Sequence, residues 1–195
     1  ATDFIMTITL CASDAAKHLV ENPYAPWWLK NQLANTLFLV ALLGGVFIRG
    51  FKEAIYLAVF LVWTYLILTL TVIIASFLNI HQNPELTATY LAHLTSEHSS
   101  IWHIVAISVL TFPRLALGMS GFETGVAVMP QIRADSTDTE ANPSSRIKKT
   151  KYLLFTAAII MSFFLLASSY VTTIQIPEAA FAPEGKANGR ALAYL

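Results

Sequence analysis

Apolar residues recur along this chain in runs too long and too unbroken to be one face of a soluble helix, and clusters of polar breakers separate them. A helix needs roughly 20 mainly apolar residues to cross the hydrocarbon core of a bilayer. The clear runs lie at about 34–48, 54–78 and 152–176, with a longer hybrid stretch at 101–132 and a more polar candidate at 1–20. Breakers stand where such helices should end: Asn22-Pro23 and Pro26, Asn83-Pro84, Asn142-Pro143 and Pro177. The pattern predicts an all-α, polytopic membrane bundle in one transmembrane domain over residues 1–195.

Ionisable residues at membrane depth are the first candidates for function, because each costs about 2.5–3.5 kcal/mol on insertion scales. Asp3, Thr7, Cys11, Asp14 and His18 recur at spacings of four, four, three and four, which confines them to one stripe of the first helix. That stripe is expected to face protein or water. It is either part of a transport path, with Asp3 and Thr7 deepest, or the wet face of an interfacial helix in which Asp14 pairs with Lys17 or His18. The hybrid run at 101–132 is longer than a straight span needs and holds Pro113, Gly118, Gly121, Gly125 and Pro130. Its centre, Gly118-Met119-Ser120-Gly121-Phe122-Glu123-Thr124-Gly125, puts small residues, a hydroxyl and a carboxylate where the helix should break. Broken helices at that depth are tolerated where they line a cavity, and there their freed amides and carbonyls bind substrate and ions. A kinked helix packing through its glycines is the alternative, against which the Glu123 carboxylate speaks. Glu123 is read as cation ligand, proton carrier or gate residue, and Arg114 as a salt-bridge gate or as a snorkelling or structural ion-pair residue.

Composition agrees: 55% of residues are hydrophobic and 12% charged, too little polar surface to coat a soluble globule. The 12 basic and 12 acidic residues cancel, so bulk charge argues for no nucleic-acid partner. Their placement sets orientation. Residues 133–151 carry Arg133, Arg146, Lys148, Lys149 and Lys151 and read as a cytoplasmic loop, whereas 80–100 has no Lys or Arg and reads as external. The Arg49-Gly50-Phe51-Lys52 turn then falls inside, and Lys30 falls outside against the trend. His81, His93, His98 and His103 have no compact ligand spacing and read as residues of a solvated loop or weak external helix, so no metal is expected. Trp27, Trp28, Tyr90 and Trp102 read as interfacial anchors. The lone Cys11 excludes an intramolecular disulfide, and the sequence carries no enzyme signature, so neither catalysis nor a cofactor is expected. The chain opens at Ala1 and stops at Leu195 without signals of a terminus, and both ends read as cuts.

The residues resemble the amino acid/polyamine/organocation superfamily of secondary transporters. "MSGFETGVAVMPQIR", followed by a polar loop, "RIKKTKYLLFTAAII" and "IQIP", is similar to the sixth helix, cytoplasmic loop and seventh helix of these permeases. "ATDFIMTITLCASDAAKHLVENP" is similar to the third helix of a large-permease branch, and "IRGFKEAI" to the turn between its helices four and five. The resemblance implies helices three to seven of a leucine-transporter-like fold of two inverted five-helix repeats, with a discontinuous sixth helix. It implies a substrate or ion site formed by Asp3, Thr7, Ser120, Gly121, Phe122 and Glu123, with Ser120 standing where the potassium branch has Thr.

The function this implies is a proton-coupled amino-acid permease working by alternating access in the plasma membrane. A proton-coupled potassium carrier of the same superfamily is the rival, and a channel or non-transporting sensor the alternative of another class. Expected partners are the lipid bilayer, a small-molecule or cation substrate and the coupling proton, with room for a homodimer of the full-length protein.

Overall fold

The computed structural model describes residues 2–97, 101–111, 125–133, 135, 138–139, 142–182 and 185–195, and regular structure among them is helical throughout. Side chains are described for all of these except residues 2–4, 51, 95–97 and 101. The chain divides into two compact units, residues 1–68 and 69–195.

In the first unit, α1 (Thr2–Glu21) and α2 (Gln32–Arg49) pack on each other. Helix α1 stops because Pro23 has no N–H to continue the ladder, and the Asn22 side chain accepts the Tyr24 N–H at 2.9 Å to turn the chain. A short 3₁₀ turn, Trp27–Leu29, comes next, and Asn31 caps α2 by accepting the Ala34 N–H at 3.1 Å. The contact face of α1 is built of small residues: Ala16 is fully buried and Ala12, Ser13 and Val20 are half-buried. Opposite it, α2 buries Asn35 and half-buries Thr36, Leu39 and Val40. Small residues let helices approach where lipid removes the hydrophobic incentive to associate, and polar ties add to the contact. Gln32 Nε2 donates to the Ser13 carbonyl at 3.4 Å and to Ser13 Oγ at 3.3 Å, and Asn35 Nδ2 donates to the Leu29 carbonyl at 2.6 Å.

Helix α3 (Phe51–Gln82) begins just after α2 ends, with Gly50 alone between them. Gly50 makes this turn at φ 151° and ψ 148°, a region open essentially to glycine, while its carbonyl accepts the Ala54 N–H at 3.2 Å. A Cβ at this position would strike the Glu53 carboxylate.

The second unit holds the C-terminal part of α3, α4 (Pro84–Glu97), α5 (Ile101–Thr111), a 3₁₀ turn at Met129–Gln131, and α6 (Ser144–Gln175). Two one-turn helices come after it, Glu178–Phe181 and Ala191–Tyr194. Here α3 meets α6 through Ile73, Ile80 and Val171, with Phe164, Ala167 and Ile174 against them. Phe77 stacks on Tyr170 with ring centroids 5.3 Å apart, and Gln175 Nε2 donates to the Ser76 carbonyl at 2.8 Å.

Little else is buried among the described residues, and that defines the solvent. Phe60 is 67% exposed and Leu166 68%, and large apolar side chains lie uncovered along both α3 and α6. Hydroxyls on these helices satisfy themselves locally: Thr64 donates to the Phe60 carbonyl at 2.9 Å and Thr172 to the Ser168 carbonyl at 2.8 Å. Among the described residues, three helices are long and apolar enough to cross a membrane: Gln32–Arg49, Lys52–Gln82 and Ser144–Gln175. At about 1.5 Å per residue, the 32-residue α3 and α6 each reach roughly 48 Å, well beyond the hydrocarbon core.

Helices α2, α3 and α6 cover the apolar runs at 34–48, 54–78 and 152–176 and extend past them. Helix α6 starts at Ser144, so Arg146, Lys148, Lys149 and Lys151 ride on its first turns and only the earlier part of 133–151 is left to a loop. The region 80–100 is mostly the end of α3 and the whole of α4, separated at Asn83, with Pro84 at the first position of α4, where its missing N–H costs nothing. The candidate at 1–20 is helical but does not join the three spanning helices, because its polar stripe lowers its apolar content. Of the hybrid run, α5 accounts for 101–111, while 112–124 lies outside the described residues.

The Gly50 turn is directly testable. Gly50→Ala forces an L side chain into glycine-only backbone and onto Glu53, a cost of about 1–3 kcal/mol. The thermal-unfolding midpoint in detergent is expected to fall by a few degrees. Gly44→Ala, mid-helix with open space around it, should leave the midpoint unchanged or raise it. Equal midpoints for the two variants would contradict the turn geometry.

Candidate functional site

The polar stripe of α1 lies on the side of the helix away from α2. With Ala16 as the centre of the packed face, a rotation of about 100° per residue puts Asp3, Thr7, Cys11, Asp14 and His18 between about 140° and 220° around the axis. Ala12, Ser13 and Val20 fall within about 60° of Ala16. Burial agrees: Cys11, Asp14 and His18 are exposed and Thr7 is half-buried, whereas Ala16 is closed off. Asp3 belongs to the stripe by its place in the helix, one turn before Thr7. Toward the C-terminal end, His18 Nε2 stands 3.8 Å from Asp14 Oδ2, and Lys17 pairs with Glu21 at 3.7 Å. These are long, solvent-accessible pairs of the kind that contribute little to stability.

The second half of the predicted site, Ser120, Gly121, Phe122 and Glu123, lies outside the described residues, as does Arg114. Several described residues after position 124 meet α6. A Cβ built on Gly125 comes 2.7 Å from Leu154 Cδ2, so the glycine leaves room for the end of the Leu154 side chain of α6. The Met129–Gln131 turn packs on α6 as well. Lys149 Nζ then donates to the Arg133 carbonyl at 3.2 Å and to Asp135 Oδ1 at 2.6 Å.

Asp138 completes this clamp by capping α6. Pro143 occupies the N-cap position and offers no side-chain acceptor, so the first amides of the helix need partners from elsewhere. Asp138 Oδ1 accepts the Ser145 N–H at 2.8 Å, and its Oδ2 accepts the Arg146 N–H at 3.0 Å and the Ser145 hydroxyl at 2.7 Å. Ser145 Oγ in turn accepts the Asp135 N–H at 3.2 Å. The backbone N–H of Ser145 is the main cause that holds the Asp138 carboxyl below its usual range, and the Lys149 ammonium does the same for Asp135. No sequence signal marks this cap, because the acceptor sits seven residues before the amide it serves, across a loop with no capping-box spacing.

A cavity of about 630 Å³ opens at the far end of α6, between α4 and the segment Thr173–Phe181. Glu85 and Glu178 line it together with Tyr90 and His93. A second, apolar groove runs along Leu70, Ile74, Phe77 and Phe163. Among the described residues no three His, Cys, Asp or Glu side chains gather as a metal set.

Compared with protein-family models, curated proteins and solved structures, the chain matches none of them. Fold and surface define its class: an all-helical, membrane-embedded protein with three helices fit to span a bilayer among the described residues.

The cap carries a pH prediction. Both aspartates have lowered folded-state pKa values, so the stabilisation is fully present above the ordinary carboxylate range near about 4 and is lost as pH falls through the lower folded values. Exchange protection of the Ser145 and Arg146 amides, corrected for intrinsic rates, should stay level from neutral pH down to about 4 and fall below it. Asp138→Ala should speed their exchange at neutral pH by about three- to tenfold. Unchanged exchange would remove Asp138 as the cap.

Proposed function

We propose that this chain belongs to a secondary active transporter, a proton-coupled amino-acid permease of the amino acid/polyamine/organocation superfamily, set in the plasma membrane. The observation that carries the reading is the division of α1 into a small-residue face spent on α2 and an opposite stripe of carboxylate, hydroxyl, thiol and imidazole groups. A helix that packs through one side and keeps polar groups on the other is suited to lining a water-filled path between helices. In this proposal Asp3, Thr7, Ser120, Gly121, Phe122 and Glu123 contribute to binding the substrate or ion. Glu123 carries the coupled proton or gates the site, and Arg114 acts as a gate on the external side. The ties of Arg133, Asp135 and Asp138 to the first turns of α6 support a mechanism in which these residues move with α6 as the site alternates between the two sides. In this proposal the end of α6 that carries basic residues on its first turns is cytoplasmic and α4 external, a reading the Lys and Arg placement supports.

One observation favours a second reading, a proton-coupled potassium carrier. Helix α1 runs unbroken from Thr2 to Glu21, so positions 3 and 7, an Asp and a Thr, stand one turn apart on one face of the helix, residue types that suit a hard cation.

Uptake by the full-length protein in proteoliposomes under an inward proton gradient tests both. The expected result is saturable amino-acid accumulation that falls at least about tenfold in Glu123→Gln while some exchange persists. Glu123-dependent uptake of rubidium, without amino-acid flux, would instead establish the potassium reading. Single-channel currents with no accumulation would contradict both.

A further inference from the structure

We propose that the cavity between α4 and the end of α6 binds a small organic ammonium ion with an apolar body. This inference concerns binding alone and stands apart from the transport reading. At about 630 Å³ the cavity falls within the range of small-molecule sites, roughly 300–1,000 Å³. Two surfaces define it. Helix α4 supplies Glu85 and Tyr90, while the turn after α6, where Pro177 ends the helix and starts the next, supplies Glu178 and Phe181. The closing turn is fixed by the backbone: the Ala187 N–H returns to the Ala180 carbonyl at 3.0 Å, and Gly185 lies so close to Ala180 that a Cβ there would strike its carbonyl oxygen.

The chemistry of the lining selects the ligand. Among the described residues, neither Lys nor Arg contributes to the cavity, and neither Glu85 nor Glu178 is in an ion pair. Both carboxylates are exposed and reach a ligand entering from water. Gln175 spends an amide N–H on the Ser76 carbonyl, and its amide oxygen adds a further acceptor. Much of the remaining wall is aliphatic, with the rings of Tyr90 and Phe181 suited to the apolar body and to cation–π contact with the ammonium group. An anion would meet two carboxylates offset by neither Lys nor Arg, with the His93 imidazole alone among the lining residues able to carry positive charge. A neutral apolar molecule would leave both carboxylates unused.

Titrations of the full-length protein in detergent with 2-phenylethylammonium, the neutral 2-phenylethanol and the anionic 3-phenylpropanoate, read by ligand-observed magnetic resonance, decide the matter. The expected result is saturable binding of the ammonium ion, at least tenfold tighter than either of the others and weakened at least tenfold by Glu85→Gln with Glu178→Gln. Both substitutions keep side-chain shape, and an unchanged unfolding midpoint confirms a folded variant. Glu123→Gln, which tests transport, should leave this binding unchanged, so the two readings fail separately. No binding, equal binding of the three probes, or full affinity in the double variant would overturn the proposal.

Discussion

In hydrocarbon an unpaired peptide group costs several kcal/mol, and meeting that cost inside each segment shapes every part of this molecule. It forces the spanning segments into helices and makes their ends the places where side chains must step in. Asn31 does so for α2, and Asp138 for α6, where Pro143 cannot. Hydroxyls within the spans obey the same rule, since Thr64 and Thr172 return their protons to their own helix. With large apolar side chains at home in lipid, helix contacts fall to small residues and a few polar ties: Ala12 and Ala16 against α2, and Gln175 reaching Ser76 across to α3.

The same economy explains why α1 is informative. It uses only one side for packing, and that side is small and nearly apolar. Polar groups on the opposite side cost free energy if left in lipid. The proposed transport path gives them a solvent. Elsewhere in the chain, Gly125 lies against the Leu154 side chain of α6, Arg133 and Asp135 are tied to Lys149, and Asp138 caps the helix. A substrate segment continuous with such a clamp would transmit its movement to α6.

Much of the fold was legible from local chemistry. Pro23, Pro84 and Pro177 mark helix boundaries because a missing N–H acts wherever the residue stands, and Gly50 marks the tight turn. The start of α6 was not legible from hydropathy, which reports contact with lipid, whereas Arg146 to Lys151 are helical yet polar. For the same reason α4 was legible only as a solvated loop or a weak external helix. In the candidate site, periodicity alone placed Asp3, Thr7, Cys11, Asp14 and His18 on one stripe. Which way that stripe turns depended on Ala12 and Ala16, whose small size matters only once a partner helix is present. The cavity was beyond sequence reading because its walls, Glu85 and Glu178, are joined by folding and not by spacing.

If the α1 stripe lines water and substrate, the single cysteine of the chain reports on it directly, because Cys11 sits on that stripe and is exposed. The decisive measurement is the rate at which Cys11 reacts with a membrane-impermeant methanethiosulfonate in the membrane-embedded protein, with and without a transported solute. Leu68→Cys in a Cys11→Ser background provides the comparison, since Leu68 is 61% exposed on the apolar helix α3. Reaction at Cys11 is expected to be at least tenfold faster than at Leu68→Cys, and to be slowed by amino acids or by rubidium. A Cys11 as inert as the lipid-facing position, or one indifferent to both solutes, would contradict a water-lined stripe on α1.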